Sequence, residues 1–222
     1  MPLSETFLAN AEEKIKEYRD NEFDLLVADP PYRDPKNNRP TKDMRAKGAV
    51  SMKTWGGKPS QEMFNEMMRV SKHQIIWGAN NFIENLRNTD CMISWDKQNP
   101  MDNYSDCEFA WTSFKRPSIV IRLPYYGKIN ADPDGKIHPN QKPIILYKWL
   151  LEYFAEAGYK ILDPYLGSGS HRIASYEYGF DFHGIENIEK YYIDQEQRFK
   201  NYIDQQDMFK PKEATIPIFE PL

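Results

Sequence analysis

The chain has 222 residues, enough to bury one substantial core and the usual length for a single α/β domain. No apolar run approaches the roughly 20 residues of a membrane span, and no basic-plus-apolar leader opens the chain, so a cytoplasmic protein is expected. Two cysteines (Cys91, Cys107) and four scattered histidines (His73, His138, His171, His183) show no ligand spacing, which predicts neither a disulfide framework nor a metal site. The net charge of −4 argues against a general polyanion binder, but the charge is uneven. Between Arg33 and Lys58, Arg33, Lys36, Arg39, Lys42, Arg45, Lys47, Lys53 and Lys58 face only Asp34 and Asp43.

In chain order, Ser4 can cap a helix running to about Tyr18, with Phe7, Leu8, Ala11 and Ile15 on one face. Phe23–Ala28 reads as a short buried strand, stopped by Pro30 and Pro31. The basic segment 33–58, rich in Pro, Asn, Lys and Gly, reads as a loop that orders on a substrate or simply as a solvated loop. Gln61–Val70 is a second helix, its Met63, Phe64, Met67 and Met68 filling core. Gln74–Trp77 and Met92–Trp95 read as neighbouring strands, their ends at 78–82 and 96–99 forming walls of a site. Another strand runs from Ser118 to Leu123. Pro143 begins a helix in which Ile144, Ile145, Trp149, Leu150, Tyr153 and Phe154 form a core stripe, and Gly158 stops it. From about residue 205 the chain becomes a polar, proline-punctuated tail.

The chemistry concentrates at two places. Asp29-Pro30-Pro31-Tyr32 puts a carboxylate, two residues without N–H donors and an aromatic face at the carboxyl end of a strand, where open α/β sheets bind ligands. Alone, that string also suits a strand ending in a turn. Tyr159–Asp163 is another strand, followed by Pro164-Tyr165-Leu166-Gly167-Ser168-Gly169-Ser170, a helix through Ile173 and Tyr176, and a strand Phe180–Ile185 ending in Glu186. Glycines in such a turn let a ligand approach the backbone, and an acid 23 residues beyond Asp163 suits a ribose hydroxyl pair.

These two stretches, with His138-Pro139-Asn140-Gln141-Lys142-Pro143 between them and Gly184-Ile185-Glu186 after them, together resemble the amino-methylating DNA methyltransferases that use S-adenosyl-L-methionine. The order resembles the β-type arrangement, in which the catalytic motif precedes the cofactor motif. The resemblance spans roughly Phe23 to Tyr202. Two positions depart from it: Asn140 stands where Thr is common, and Ser170 with His171 replace a frequent Thr pair.

The resemblance implies one Rossmann-like α/β methyltransferase domain over residues 1–204, with a mostly parallel central sheet flanked by helices. It implies a circularly permuted motif order and a small target-recognition insertion at about 97–136. Asp29, Pro30, Pro31 and Tyr32 would be catalytic, with Asp at the first position resembling adenine-N6 enzymes; Ser there would point to cytosine-N4. His138, Gln141, Lys142, Asp163, Pro164, Gly167, Ser168, Gly169 and Glu186 would bind the cofactor, S-adenosyl-L-methionine. Double-stranded DNA would be the partner, met by Arg33, Lys36, Arg39, Lys42, Arg45, Lys47, Lys115 and Arg116, and a homodimer would enlarge a small recognition surface. No metal is implied, and the setting would be a prokaryotic or phage-infected cell. RNA adenine or DNA cytosine-N4 methylation, and a silent nucleic-acid-binding module on the same scaffold, are the alternatives. A glutamine-N5 protein methyltransferase would begin its tetrapeptide with Asn and carry it after the cofactor motif.

Overall fold

The computed structural model describes residues 1–32, 57–100 and 105–209, with side chains to 206. The basic residues Arg33, Lys36, Arg39, Lys42, Arg45, Lys47 and Lys53, and the tail beyond 209, lie outside the described residues. Eight strands join there in one sheet: β1 (Ser4–Leu8), β2 (Phe23–Ala28), β3 (Ser71–Trp77), β4 (Met92–Asp96), β5 (Cys107–Thr112), β6 (Ile119–Arg122), β7 (Lys160–Asp163) and β8 (Asp181–Glu186). Their spatial order is β1-β8-β7-β2-β3-β5-β4-β6. Every pairing is parallel except those that β5 makes with β3 and β4. The helices are α1 (Ala11–Lys14, continued by a 3-10 turn at Ile15–Glu17), α2 (Gln61–Val70), α3 (Ile144–Phe154), α4 (Ser170–Glu177) and α5 (Glu189–Phe209).

Alternation along the strands sends side chains to two cores. Leu25 and Val27 of β2 join Ile75, Trp77, Ile93, Trp95, Ile161 and Phe182 beneath α3 and α4. Leu26 and Ala28 point the other way, towards Ile15 and the Met63, Phe64, Met67 and Val70 face of α2. Ser60 caps α2 by accepting the Met63 N–H at 3.1 Å. Helices on both faces of a mostly parallel sheet make this a Rossmann-like α/β domain.

Four expectations are corrected. The predicted helix from Ser4 is strand β1 up to Leu8, hydrogen-bonded in parallel to β8; the helix starts at Ala11, capped by Asn10 through the Glu12 N–H at 2.8 Å. Leu8, assigned to an apolar face, is 47% exposed. Strands β3 and β4 are not neighbours, because β5 lies between them. On α3 the core face is Leu146, Tyr147, Leu150, Leu151 and Phe154, with Ile145 and Tyr153 turned outward. Residues 97–136 include β5 and β6 of the sheet; the described segments free of it are 97–100, 105–106, 113–118 and 123–136.

Candidate active site

From β7 the chain crosses through α4 to β8 on one side, and from β2 through α2 to β3 on the other. Strands β7 and β2 are adjacent, so the topology reverses between them, the place where open α/β sheets leave a crevice. The ends of β2, β7 and β8 deliver Asp29, the glycine turn and Glu186 to that crevice. A cavity of about 330 Å³ opens there. Of the expected site residues, Asp29, Pro30, Pro31, His138, Gln141, Lys142, Pro164, Gly167, Ser168 and Glu186 line it. Asn10, Glu12, Tyr147, Tyr165 and Ile188 line it too. Sequence reading gives none of these five a role: Tyr165 is quoted only as part of the turn, and nothing local marks the start of α1 or the middle of α3 as facing a ligand.

At the β2 end, the carboxylate of Asp29 is occupied on both oxygens. The Tyr32 hydroxyl donates to Oδ1, and the Lys142 ammonium lies 2.5 Å from Oδ2. That ammonium also donates to the Tyr32 hydroxyl at 3.2 Å and faces Glu108 Oε2 at 3.3 Å, and Lys97 reaches Glu108 Oε1 at 3.1 Å. Burial raises the carboxyl pKa of Asp29 against the pull of Lys142. Burial also opposes the charge on Lys142, but Asp29 and Glu108 outweigh it and raise its pKa above the ordinary lysine value. Lys142, assigned above to the cofactor, thus contacts the tetrapeptide itself. Glu108 escaped sequence reading: a lone acid opening a strand carries no signal. The Tyr32 ring packs edge-on to Phe82, 6.1 Å between centroids, and lies against Gly78.

At the β7 and β8 ends, Gly167 and Gly169 take left-handed φ of 53° and 72°, which tightens the turn after β7. Glu186 Oε2 accepts the Gly167 N–H at 2.9 Å and Oε1 accepts the Ile188 N–H at 2.8 Å. Burial raises the Glu186 carboxyl, and those N–H groups with that of Asn187 pull it back. His138 packs edge-on against Tyr191 and accepts the Asn140 N–H at 3.3 Å. Burial first, then the charges of Lys136, Lys142 and Lys190, lower its pKa to about 3.

Several expected residues serve the framework. Asp163 takes the Tyr165 N–H at 2.9 Å and pairs with His171 Nδ1 at 3.1 Å beneath the cavity. Gly169 abuts Gln195. The Gln141 side chain donates to Asp132 at 2.8 Å and to the Gly135 carbonyl at 3.0 Å. Arg198 of α5, overlooked in the sequence, joins this loop to the glycine turn. It pairs with Asp132 at 2.9 Å, both side chains nearly fully buried, and donates to the Ser168 carbonyl at 2.9 Å. Asp132 Oδ1 in turn accepts the Ile144 N–H at 2.8 Å, at the start of α3.

Lys115 and Arg116 are not brought to the cavity. They lie between the end of antiparallel β5 and the start of β6, at the edge where the parallel strands begin. Arg116 stacks over Tyr153, 4.2 Å from the ring centre. Lys58 does reach the cavity rim, donating to the Asn81 carbonyl at 3.0 Å.

Comparisons with known proteins agree with this architecture. A stretch of 61 residues, 28% of the chain, is 38% identical to YubD of Escherichia coli (strain K12), assigned as a methylase; the match spans 27% of that protein's length. M1.HpyAVI, crystallised with S-adenosylmethionine, superposes with a TM-score of 0.58 at 20% identity, covering 90% of this chain and 99% of that one. TTHA0409 from Thermus thermophilus, assigned as a DNA modification methylase and also complexed with S-adenosyl-L-methionine, gives 0.58 at 17% identity, over 89% and 95% of the two chains. The cytosine-N4-specific PvuII DNA methyltransferase gives 0.59 at 10% identity, covering 93% of each. At these identities the likeness concerns the fold. Residues 102–198 match the model of the family described as DNA methylase. The chain thus has the Rossmann-like fold of these methyltransferases and, over residues 102–198, the sequence pattern of the DNA methylase family.

Proposed function

We propose that this chain transfers a methyl group from S-adenosyl-L-methionine to the N6 amino group of an adenine turned out of double-stranded DNA. The observation that carries the reading is the shared cavity: the carboxylate of Asp29, the Gly167 turn and Glu186 meet at the β2–β7 switch point. The residues present suit the cofactor. A left-handed glycine at 167 stands beside His138 in the turn, and a buried carboxylate at Glu186 that lines the cavity suits the hydroxyls of a ribose. When bound, the cofactor supplies a methyl group on a sulfonium, already activated for displacement.

The protein's own work is orientation and exclusion of water. The exocyclic nitrogen of adenine is a poor nucleophile because its lone pair is delocalised into the ring. Asp29 and the carbonyl of Pro30 accept its two hydrogens, which moves the nitrogen towards tetrahedral geometry. Asp29 then receives the proton the amine sheds after transfer. Turning the base out of the stack costs a few kcal/mol, roughly, and stacking on Tyr32 offsets about 1–3 kcal/mol of it. Lys58 at the rim, with the basic residues of 33–53, meets the phosphate backbone.

The test is to incubate the protein with labelled cofactor and duplex DNA, single-stranded DNA, RNA or protein, then digest and identify the product. N6-Methyladenine from duplex DNA is expected. N4-Methylcytosine, or label only in RNA or protein, would replace the reading by one of its alternatives.

A further inference from the structure

Because β5 runs against its neighbours, its first residues rather than its last reach the edge where the parallel strands end. Glu108 therefore stands opposite Asp29, with Lys142 suspended between them: 2.5 Å to Asp29 Oδ2 and 3.3 Å to Glu108 Oε2, its side chain 5% exposed. Lys97 holds the other oxygen of Glu108 at 3.1 Å. Two ammonium groups thus face two carboxylates in a largely buried cluster.

The proposed transfer needs Asp29 to accept a hydrogen from the substrate amine, yet both of its oxygens already carry donors, Tyr32 on one and Lys142 on the other. Each oxygen has a second lone pair, but an amine that binds Oδ2 competes there with the Lys142 ammonium. A buried ammonium released without a partner would be strongly unfavourable, whereas Lys142 moving the short distance onto Glu108 stays paired while Asp29 gives up its cation for the hydrogen bond of the amine. We propose that Glu108 is a positioning residue for this reaction, taking the Lys142 ammonium while Asp29 exchanges it for the amine of the target base. The inference rests on the function proposed above. It assigns to a second carboxylate, far from the tetrapeptide in sequence, the task of freeing the first.

The electrostatics agree. At Asp29, burial raises the carboxyl pKa. At Glu108 burial acts in the same sense, but Lys142 and Lys97 outweigh it and lower the pKa, so Glu108 remains an ionised partner for the ammonium. Among the described residues, the titratable groups that interact with Lys142 are Asp29 and Tyr32 from the end of β2, Glu108 from β5, Tyr125 and His138 from the segment before α3, and Tyr147 from α3.

The experiment follows methyl transfer to duplex DNA against pH for the wild type, Glu108→Gln and Lys97→Met, with cofactor binding by calorimetry. In Glu108→Gln, Lys142 stays on Asp29: kcat should fall by about 100-fold, cofactor affinity should hold, and the acid limb of kcat/KM should move to lower pH. Lys97→Met leaves Glu108 to pull Lys142 harder, so its acid limb should move to higher pH. General structural damage would not send the two limbs in opposite directions. The Lys142 side-chain nitrogen resonance, identified by its loss in Lys142→Met, should shift in Glu108→Gln independently of activity. An active wild type with an unchanged limb and unchanged kcat in Glu108→Gln, or an unmoved Lys142 resonance, overturns the inference alone. A wild type that methylates no nucleic acid overturns the proposed function and this inference with it.

Discussion

Gly78 and Tyr32 share one space: a Cβ built on residue 78 would overlap Cε1 of the tyrosine ring. The glycine that follows β3 is what allows the aromatic ring of the tetrapeptide to lie flat against backbone. It also holds a left-handed φ of 70°, which costs a residue with a side chain about 1–3 kcal/mol. Gly78→Ala should therefore push Tyr32 aside and lower kcat by about 10-fold or more while the chain still folds. Steady-state kinetics beside a thermal melt check this. A variant as active as the wild type would show that the placement of Tyr32 is immaterial.

Asp29→Ala should reduce transfer by about 10²- to 10⁴-fold, the range for a positioned acid or base, with cofactor binding intact. Parallel loss of both would mean that Asp29 supports the cofactor pocket rather than the amine. Tyr32→Ala should weaken transfer, whereas Tyr32→Phe, which keeps the ring and gives up only the hydroxyl donated to Asp29, should largely retain it. An inert Phe variant would move the role of Tyr32 from stacking to hydrogen bonding.

Arg198 and Asp132 form a pair with side chains 3% and 4% exposed. Removing Arg198 leaves the buried Asp132 charge without its cation, at about 3–5 kcal/mol. Arg198→Met should lose stability on that scale in urea, and cofactor affinity should drop as well, because the 132–141 loop is no longer tied to the Ser168 carbonyl. A stable variant with normal affinity would contradict both halves of this expectation.

The His138 imidazole has its pKa lowered to about 3 in the fold, against an ordinary 6.5. Between those values the unfolded chain binds a proton that the folded chain refuses. Stability owed to the neutral ring is complete above the higher pKa and is lost progressively as pH falls towards the lower one. His138→Gln removes that term, so its unfolding midpoint should decline less steeply than the wild type's between about pH 6.5 and pH 4. Above pH 7, roughly, the two curves should run parallel. Urea titrations across pH measure this, and equal slopes in acid would refute it.

The strand ends that carry Asp29, Gly167 and Glu186 were legible because each signal is local: a proline stop, a left-handed glycine, an acid closing a strand. The helix expected at Ser4 failed for the opposite reason. Phe7, Leu8, Ala11 and Ile15 fit a helical stripe, but the open edge of β8, more than 170 residues away in the chain, pairs with Ser4–Leu8 as a strand. No spacing within the first ten residues could reveal that edge. Glu108 and Arg198 were hidden in the same way. Each acquires its meaning from a partner in another element, Lys142 for one and Asp132 for the other. The antiparallel course of β5, which turns the beginning of a strand towards the cavity, was likewise invisible locally.

The seam between β2 and β7 is narrow, with backbone register only at Leu25 opposite Ile161 and Leu26 opposite Leu162. On the proposed reading, the chain builds the acceptor half on one side of it and the donor half on the other. On the function proposed here, the two halves can vary separately. Substitutions around β3 and β5 would alter which base is chosen or how it is gripped, while the β7–β8 turn goes on delivering the same methyl donor.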